Sequence, residues 1–203
     1  MIRKPPPKKK EYYKRKLPHW HPEGAMLFMT VRLDGSLPRA QIEELKNRKK
    51  EEEKLLGEKG HSEVLIAKAL HKCSNLYFGK FDKLLDSNST GPHWLREDQV
   101  AKIWSDALFY FDGDRYSVIC SAIMSNHVHF IFYKLDRVLS LIMKSIKGYS
   151  GRLANKVLNR EGNRFWQIES YDRVVRDSKE LGNSINYNLN NPVKAGIVSH
   201  WND

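Results

Sequence analysis

Cysteine is almost missing from the 203 residues: only Cys73 and Cys120 occur. Two thiols exclude a disulfide framework and a four-cysteine zinc site within one chain, and they fit a reducing cytoplasm. Apolar runs are short. None approaches the ~20 residues that a membrane-spanning helix needs. The first ten residues, Met1-Ile2-Arg3-Lys4-Pro5-Pro6-Pro7-Lys8-Lys9-Lys10, are basic, but no apolar stretch follows them as it would in a secretory signal. Acidic residues are outnumbered, 24 against 35 Lys and Arg, which gives a net charge of +11 and a pI of about 9.6. That balance favours a polyanionic partner, nucleic acid before an anionic membrane surface, although simple solubility also accounts for surplus charge.

What is present is enough for one domain of ordinary size, or one carrying an insertion: 40% of the residues are hydrophobic. Residues 1–18 are rich in proline and lysine and are expected to be an extended, flexible arm. Lys14, Arg15 and Lys16 are placed there to meet phosphates, beside Tyr12 and Tyr13, which can stack on bases. A merely disordered basic tail accounts for residues 1–10 equally well. Residues 19–203 are expected to form one domain with a helical insertion at about 38–110.

Gly24–Leu33 is a first strand, apolar on both faces, ended by the turn signal Asp34-Gly35. Pro38 opens a charged, solvated helix to about Lys59. A second helical region at 62–86 has a better stripe, and Gly79 is placed to break it. Asp86–Pro92 is a loop, with His93 as a partly buried loop histidine, and 96–110 is a helix. Tyr116–Met124 and His127–Tyr133 are two strands joined through Ser125-Asn126 as a hairpin. On a strand, alternate side chains share a face. Val128, Phe130 and Phe132 therefore form the apolar side, and His127 and His129 lie together on the other.

Two imidazoles side by side on a stiff strand make a half-site for a divalent metal, although a lone His-x-His is more often structural or incidental. From Val138 to about Leu158 runs a long helical pattern of Leu139, Ile142, Ile146, Tyr149, Leu153 and Val157. That spacing puts Tyr149 on the packed side, near the histidine face of the sheet. A tyrosine hydroxyl (pKa about 10 when free) can attack a phosphodiester if a metal polarises the phosphate; the plainer reading is one more core aromatic. The helix also carries Lys144, Lys147, Arg152 and Lys156. Beyond it, Trp166 is expected to be a buried anchor. Arg173 and Arg176 are phosphate contacts or partners for Asp172 and Asp177. Asp177 with Glu180 resembles a capping box. The helix they open shows Leu181, Ile185 and Leu189 on one face and is expected to stop at Asn190-Asn191-Pro192, with Lys194 just beyond.

His127-Val128-His129, with one tyrosine on a helix about twenty residues later, resembles the single-tyrosine branch of the HUH endonucleases. Gly24–Leu33, Phe165-Trp166-Gln167, Tyr171–Asp177 and Asn190–Val198 are similar to segments of the REP-associated tyrosine transposases. The resemblance spans about Leu17 to Val198. It implies an α+β fold, with a central antiparallel sheet of ferredoxin-like type and packed helices. It implies single-stranded DNA hairpins as partner, with neither a membrane nor a nucleotide cofactor, and a monomer rather than the dimer of the insertion-sequence relatives. It further implies a nucleoid-associated protein that nicks and joins DNA. Carried over by position, His127 and His129 bind Mg2+ or Mn2+, and Tyr149 forms a 5′-phosphotyrosine. Lys194 and the arm are candidates for hairpin recognition. Two positions depart from the pattern. Ser125 stands where relatives usually have proline, and Leu153 stands one turn after Tyr149, where they often place a third, polar metal ligand. The same scaffold without catalysis, a silent single-stranded nucleic-acid binder, is the alternative; a small-substrate metal hydrolase would want a third ligand and less excess charge.

Overall fold

In the computed structural model the described residues are 12–14, 18–20, 24–57 and 63–202. They form β1 (Tyr12–Lys14), β2 (Pro18–Trp20), β3 (Met26–Arg32), α1 (Arg39–Gly57), α2 (Glu63–Ser87), a 3-10 turn (Trp94–Arg96), α3 (Asp98–Phe109), β4 (Ser117–Ile123), β5 (His127–Tyr133), α4 (Leu139–Val157), β6 (Tyr171–Val175) and α5 (Ser178–Lys194). The chain divides into two compact units, residues 35–92 and the remainder.

The larger unit is built on a four-stranded antiparallel sheet in the order β4-β5-β3-β6. With the strands taken by chain position this is the ferredoxin-like order, and the class is α+β as expected. The two central strands are the most apolar, and both of their faces are covered. Register explains the faces. Thr30 lies opposite His129 and Arg32 opposite His127, while Met29 lies opposite Phe130 and Val31 opposite Val128. Leu27, Met29, Val31, Val128, Phe130 and Phe132 therefore share one face, and α3 and α4 pack on it. Trp104 of α3 sits at the centre, edge-on to Trp166 at 4.7 Å and 5.7 Å from Phe130. Trp166 is buried, as anticipated, and its Nε1 donates to Ser150 Oγ at 2.9 Å. Gly151 lets this happen: a Cβ there would stand 3.3 Å from both Phe165 and Trp166.

The opposite face carries Phe28, Thr30, Arg32, His127, His129 and Ile131, and α5 packs on it. A β-bulge between Val118 and Cys120 shifts β4 by one residue, so that Cys120 faces Ile131 and Ala122 faces His129. Asp177 caps α5, its side chain accepting from Glu180 N at 2.8 Å. The helix does not stop at Pro192. It runs to Lys194, with Pro192 inside its last turn, and the carbonyls of Asn191 and Pro192 accept from Ala195 and Ile197.

The smaller unit contains α1 and α2. Here α2 is continuous through Gly79, whose small cost is outweighed by a buried stripe of Cys73, Tyr77, Phe81 and Leu85. Cys73 Sγ lies 3.3 Å from Glu52 Oε2, tying α2 to α1. This unit ends at Pro92, so α3 belongs with the sheet and not with the inserted segment. Within and just after the expected arm, β1 pairs antiparallel with β2, Tyr12 opposite Trp20. Lys14 lies on β1, whereas Arg15 and Lys16 lie outside the described residues. No helix among the described residues is long and apolar enough to cross a membrane.

Candidate metal and nucleophile site

Both site histidines are fully buried, and each ring is held by its neighbours. His127 Nδ1 is 2.7 Å from Asn126 Oδ1. His129 Nδ1 is 2.9 Å from Thr30 Oγ1. The two Nε2 atoms face each other at 2.9 Å, with the rings nearly perpendicular. One proton arrangement satisfies these three contacts. His127 Nδ1–H donates to the Asn126 carbonyl oxygen, which leaves His127 Nε2 as an acceptor. His129 Nε2–H then donates to it, and His129 Nδ1 accepts from the Thr30 hydroxyl. Burial, and then the neighbouring His129, push the His127 pKa well below its usual 6.5, so the imidazole is neutral, the form a metal takes.

The pair fits a divalent cation. Two nitrogens bound about 2.1 Å from one ion at a right angle stand about 3 Å apart, which matches the Nε2 spacing. Binding requires His129 to move its proton to Nδ1. Thr30 permits this, because its hydroxyl accepts as readily as it donates. Asn126 and Thr30 thus orient the rings from behind, as partners of ligating histidines commonly do. His127 and His129 are, as a pair, a two-nitrogen half-site able to hold a metal ion.

The tyrosine beside them is not the one expected. Tyr149 lies on α4, on the far side of the sheet from the histidines. It is 49% exposed and borders a depression with Tyr110 and Phe111. The packed side of α4 consists of Leu139, Ile142, Met143, Ile146, Ser150, Gly151, Ala154 and Asn155. A stripe one residue out of phase with Tyr149 therefore won. Tyr187, on α5, has its ring 5.7 Å from that of His129 and 6.2 Å from that of Phe28. The apolar residues Leu181, Ile185 and Leu189 do not form the buried side of α5. That side is polar: Ser184, Asn188 and Asn191. The signal was legible as Ser184, Asn188 and Asn191 at steps of four and three beside Tyr187, but polar stripes are normally assigned to solvent.

The expected DNA-contacting cations divide by surroundings. Lys144, Arg152, Lys156, Arg176 and Lys194 are exposed. Lys147 is occupied: its Nζ donates to Gln167 O at 2.5 Å, Ile168 O at 2.8 Å and Ser170 Oγ at 3.3 Å, pinning that segment to α4. Arg173 is an internal strut, paired with Glu180 and donating to Ser184 Oγ at 3.1 Å. His93 is the half-buried loop histidine anticipated, 2.9 Å from Ser125 Oγ.

No family model and no curated protein matches the chain. Among solved structures it is similar to a REP-associated tyrosine transposase bound to a REP hairpin, with 15% identity, a TM-score of 0.53, and coverage of 93% of this chain and 78% of that one. At that identity the likeness is one of fold.

Proposed function

We propose that this protein cleaves and rejoins single-stranded DNA at hairpins, with Tyr187 as nucleophile and His127 and His129 holding Mg2+ or Mn2+. The observation that carries the reading is the convergence of one tyrosine ring and two facing imidazole nitrogens on the same side of the sheet, within one compact unit. A hairpin as substrate is supported by the fold neighbour's bound hairpin and by the +11 charge. Tyr187 Oη attacks the phosphorus. The bond to the 3′ oxygen breaks, and a 5′-phosphotyrosine and a free 3′-hydroxyl result; the phenolic proton passes to solvent and the leaving oxygen takes one up. The phosphoester link is conserved, so reversal rejoins the strand without ATP. The cation, when bound, polarises the phosphate and stabilises charge on its oxygens.

Moving the nucleophile to Tyr187 also resolves the departure at Leu153. One helical turn after Tyr187 stands Asn191, a polar residue buried to 5% exposure. Its side-chain oxygen has the chemistry of the third, polar ligand that the family resemblance implies one turn after the nucleophile.

The test is a denaturing gel of the protein with labelled hairpin DNA from its own genomic neighbourhood and Mn2+. A labelled band at the protein's size is expected, lost in Tyr187→Phe and His127→Ala and kept in Tyr149→Phe. Tight binding with no covalent band for any flanking hairpin would sink the enzyme reading and leave a silent binder.

A further inference from the structure

α4 has a property its packing does not require. Its nineteen residues include Lys144, Lys147, Arg152 and Lys156 and not one Asp or Glu. Lys147 is spent on the backbone of 167–168. The other three are exposed and follow each other at steps of eight and four, with exposed Gly148 between the first two. At 1.5 Å rise per residue, residues four apart lie about 6 Å apart along the axis. The result is a cationic row that winds through about 120° of the outer face of the helix, with no acid on the helix itself, although Lys144 and Arg152 share a groove with Glu161, Glu169 and Asp172 of the following segment.

Beside that row stand aromatic rings that the core does not use. Tyr149 is 49% and Tyr110 76% exposed. Together with Phe111 and Ile146 they border a depression of about 290 Å3. The guanidinium of Arg115 lies 3.4 Å over the Phe111 ring and holds it in place. Exposed rings next to a row of cations are the two ingredients of non-specific single-strand binding: stacking on base faces, and charge along the backbone.

We infer that the outer face of α4, with Tyr110, is a binding surface for single-stranded DNA, separate from the histidine site and on the opposite side of the sheet. Tyr149 and Tyr110 stack bases; Lys144, Arg152 and Lys156 hold phosphates. Charge complementarity selects the occupant, since an acid-free helix on a basic protein repels cationic partners and attracts an extended polyanion. The inference shares the DNA partner of the proposed function and needs neither the metal nor the nucleophile. It gives a hairpin-cutting protein a place to hold the unpaired strand that flanks the hairpin.

The experiment is fluorescence anisotropy of the full chain with labelled oligothymidylate, which has no hairpin to cut, over a range of salt. Tyr149→Ala should weaken binding by about fivefold or more, since stacking one base contributes about 1–3 kcal/mol. Tyr149→Phe keeps the ring and should bind like the parent. Arg152→Glu with Lys144→Glu should lower the salt slope by about 0.7 log unit per log unit for each phosphate no longer held. Tyr187→Phe should bind oligothymidylate unchanged. All these side chains except that of Tyr187 are exposed, and matched melting midpoints confirm folding. Unchanged affinity and slope in the α4 variants would overturn the inference. A protein that loses oligothymidylate binding with Tyr149→Ala yet never forms a covalent band keeps this surface and drops the proposed nucleophile; the reverse pair of results does the opposite.

Discussion

The helices α4 and α5 flank one sheet and are nearly opposite in design. α4 buries leucine, isoleucine and methionine against the apolar face and turns its cations and Tyr149 outward. α5 buries Ser184, Asn188 and Asn191 against the histidine face and holds its tyrosine inward. Asn188 is hydrogen-bonded to the Cys120 side chain of β4, and Nδ2 of Asn191 has no hydrogen-bond partner among the described residues. A buried polar atom without a partner costs about 1–3 kcal/mol. The comparison teaches that the buried stripe of a helix follows the sheet face beneath it: apolar on the Phe130 face, polar on the histidine face.

The sharpest way to break this contrast is to remove each tyrosine hydroxyl. Tyr187→Phe is expected to lower covalent adduct formation by about three orders of magnitude or more, as loss of a nucleophile does. Tyr149→Phe should leave it near the parent level. Equal loss in both, read as initial rates on the gel, would erase the distinction between the helices.

Next comes the core. Phe130→Ala, under α3 and α4, should cost about 3–5 kcal/mol in urea unfolding. Asn188→Leu on α5 removes the hydrogen bond to Cys120 at similar volume and should cost about 1 kcal/mol. A cost as large as that of Phe130→Ala would mean that α5 is as tightly fitted as the apolar core. Gly151→Val, which drives a side chain into Phe165 and Trp166, should cost about 1–3 kcal/mol.

The smallest expected effect is on pH dependence. The His127 pKa is lowered in the folded protein, first by burial and then by His129. Below the ordinary value of 6.5 the unfolded chain therefore binds a proton that the folded one refuses. Stability is full above about pH 6.5 and falls as pH drops below it. Melting midpoints in chelator should decline over that range, and His127→Asn should flatten the decline. A midpoint that stays level between pH 6.5 and 5 would argue against a neutral, buried His127.

Much of the fold could be read directly. The strand at His127–Tyr133, its two faces, and the helices at 39–57, 63–87, 98–109 and 139–157 follow from patterns that repeat every two or every 3.6 residues. Such patterns are local and survive any tertiary arrangement. Errors arose where local rules met a neighbour. Pro192 is tolerated because it falls in the last turn of α5. Gly79 is carried by the packing around it. Tyr149 lay close to the apolar phase of α4 but falls just outside the arc that the sheet and α3 cover.

The sequence by itself determined that His127 and His129 share a face, because side chains two apart on a strand must. It also determined that the chain is basic and that a capped helix begins at Asp177. The tertiary structure alone decided which tyrosine meets those histidines. That depends on α4 crossing on one side of the sheet and α5 returning on the other, a choice made by chain path and sheet packing, with no signature in local spacing. The same path decided that Lys147 and Arg173 serve as internal ties while Lys144, Arg152 and Lys156 remain on the surface, since a cation's partners are set by what is folded against it.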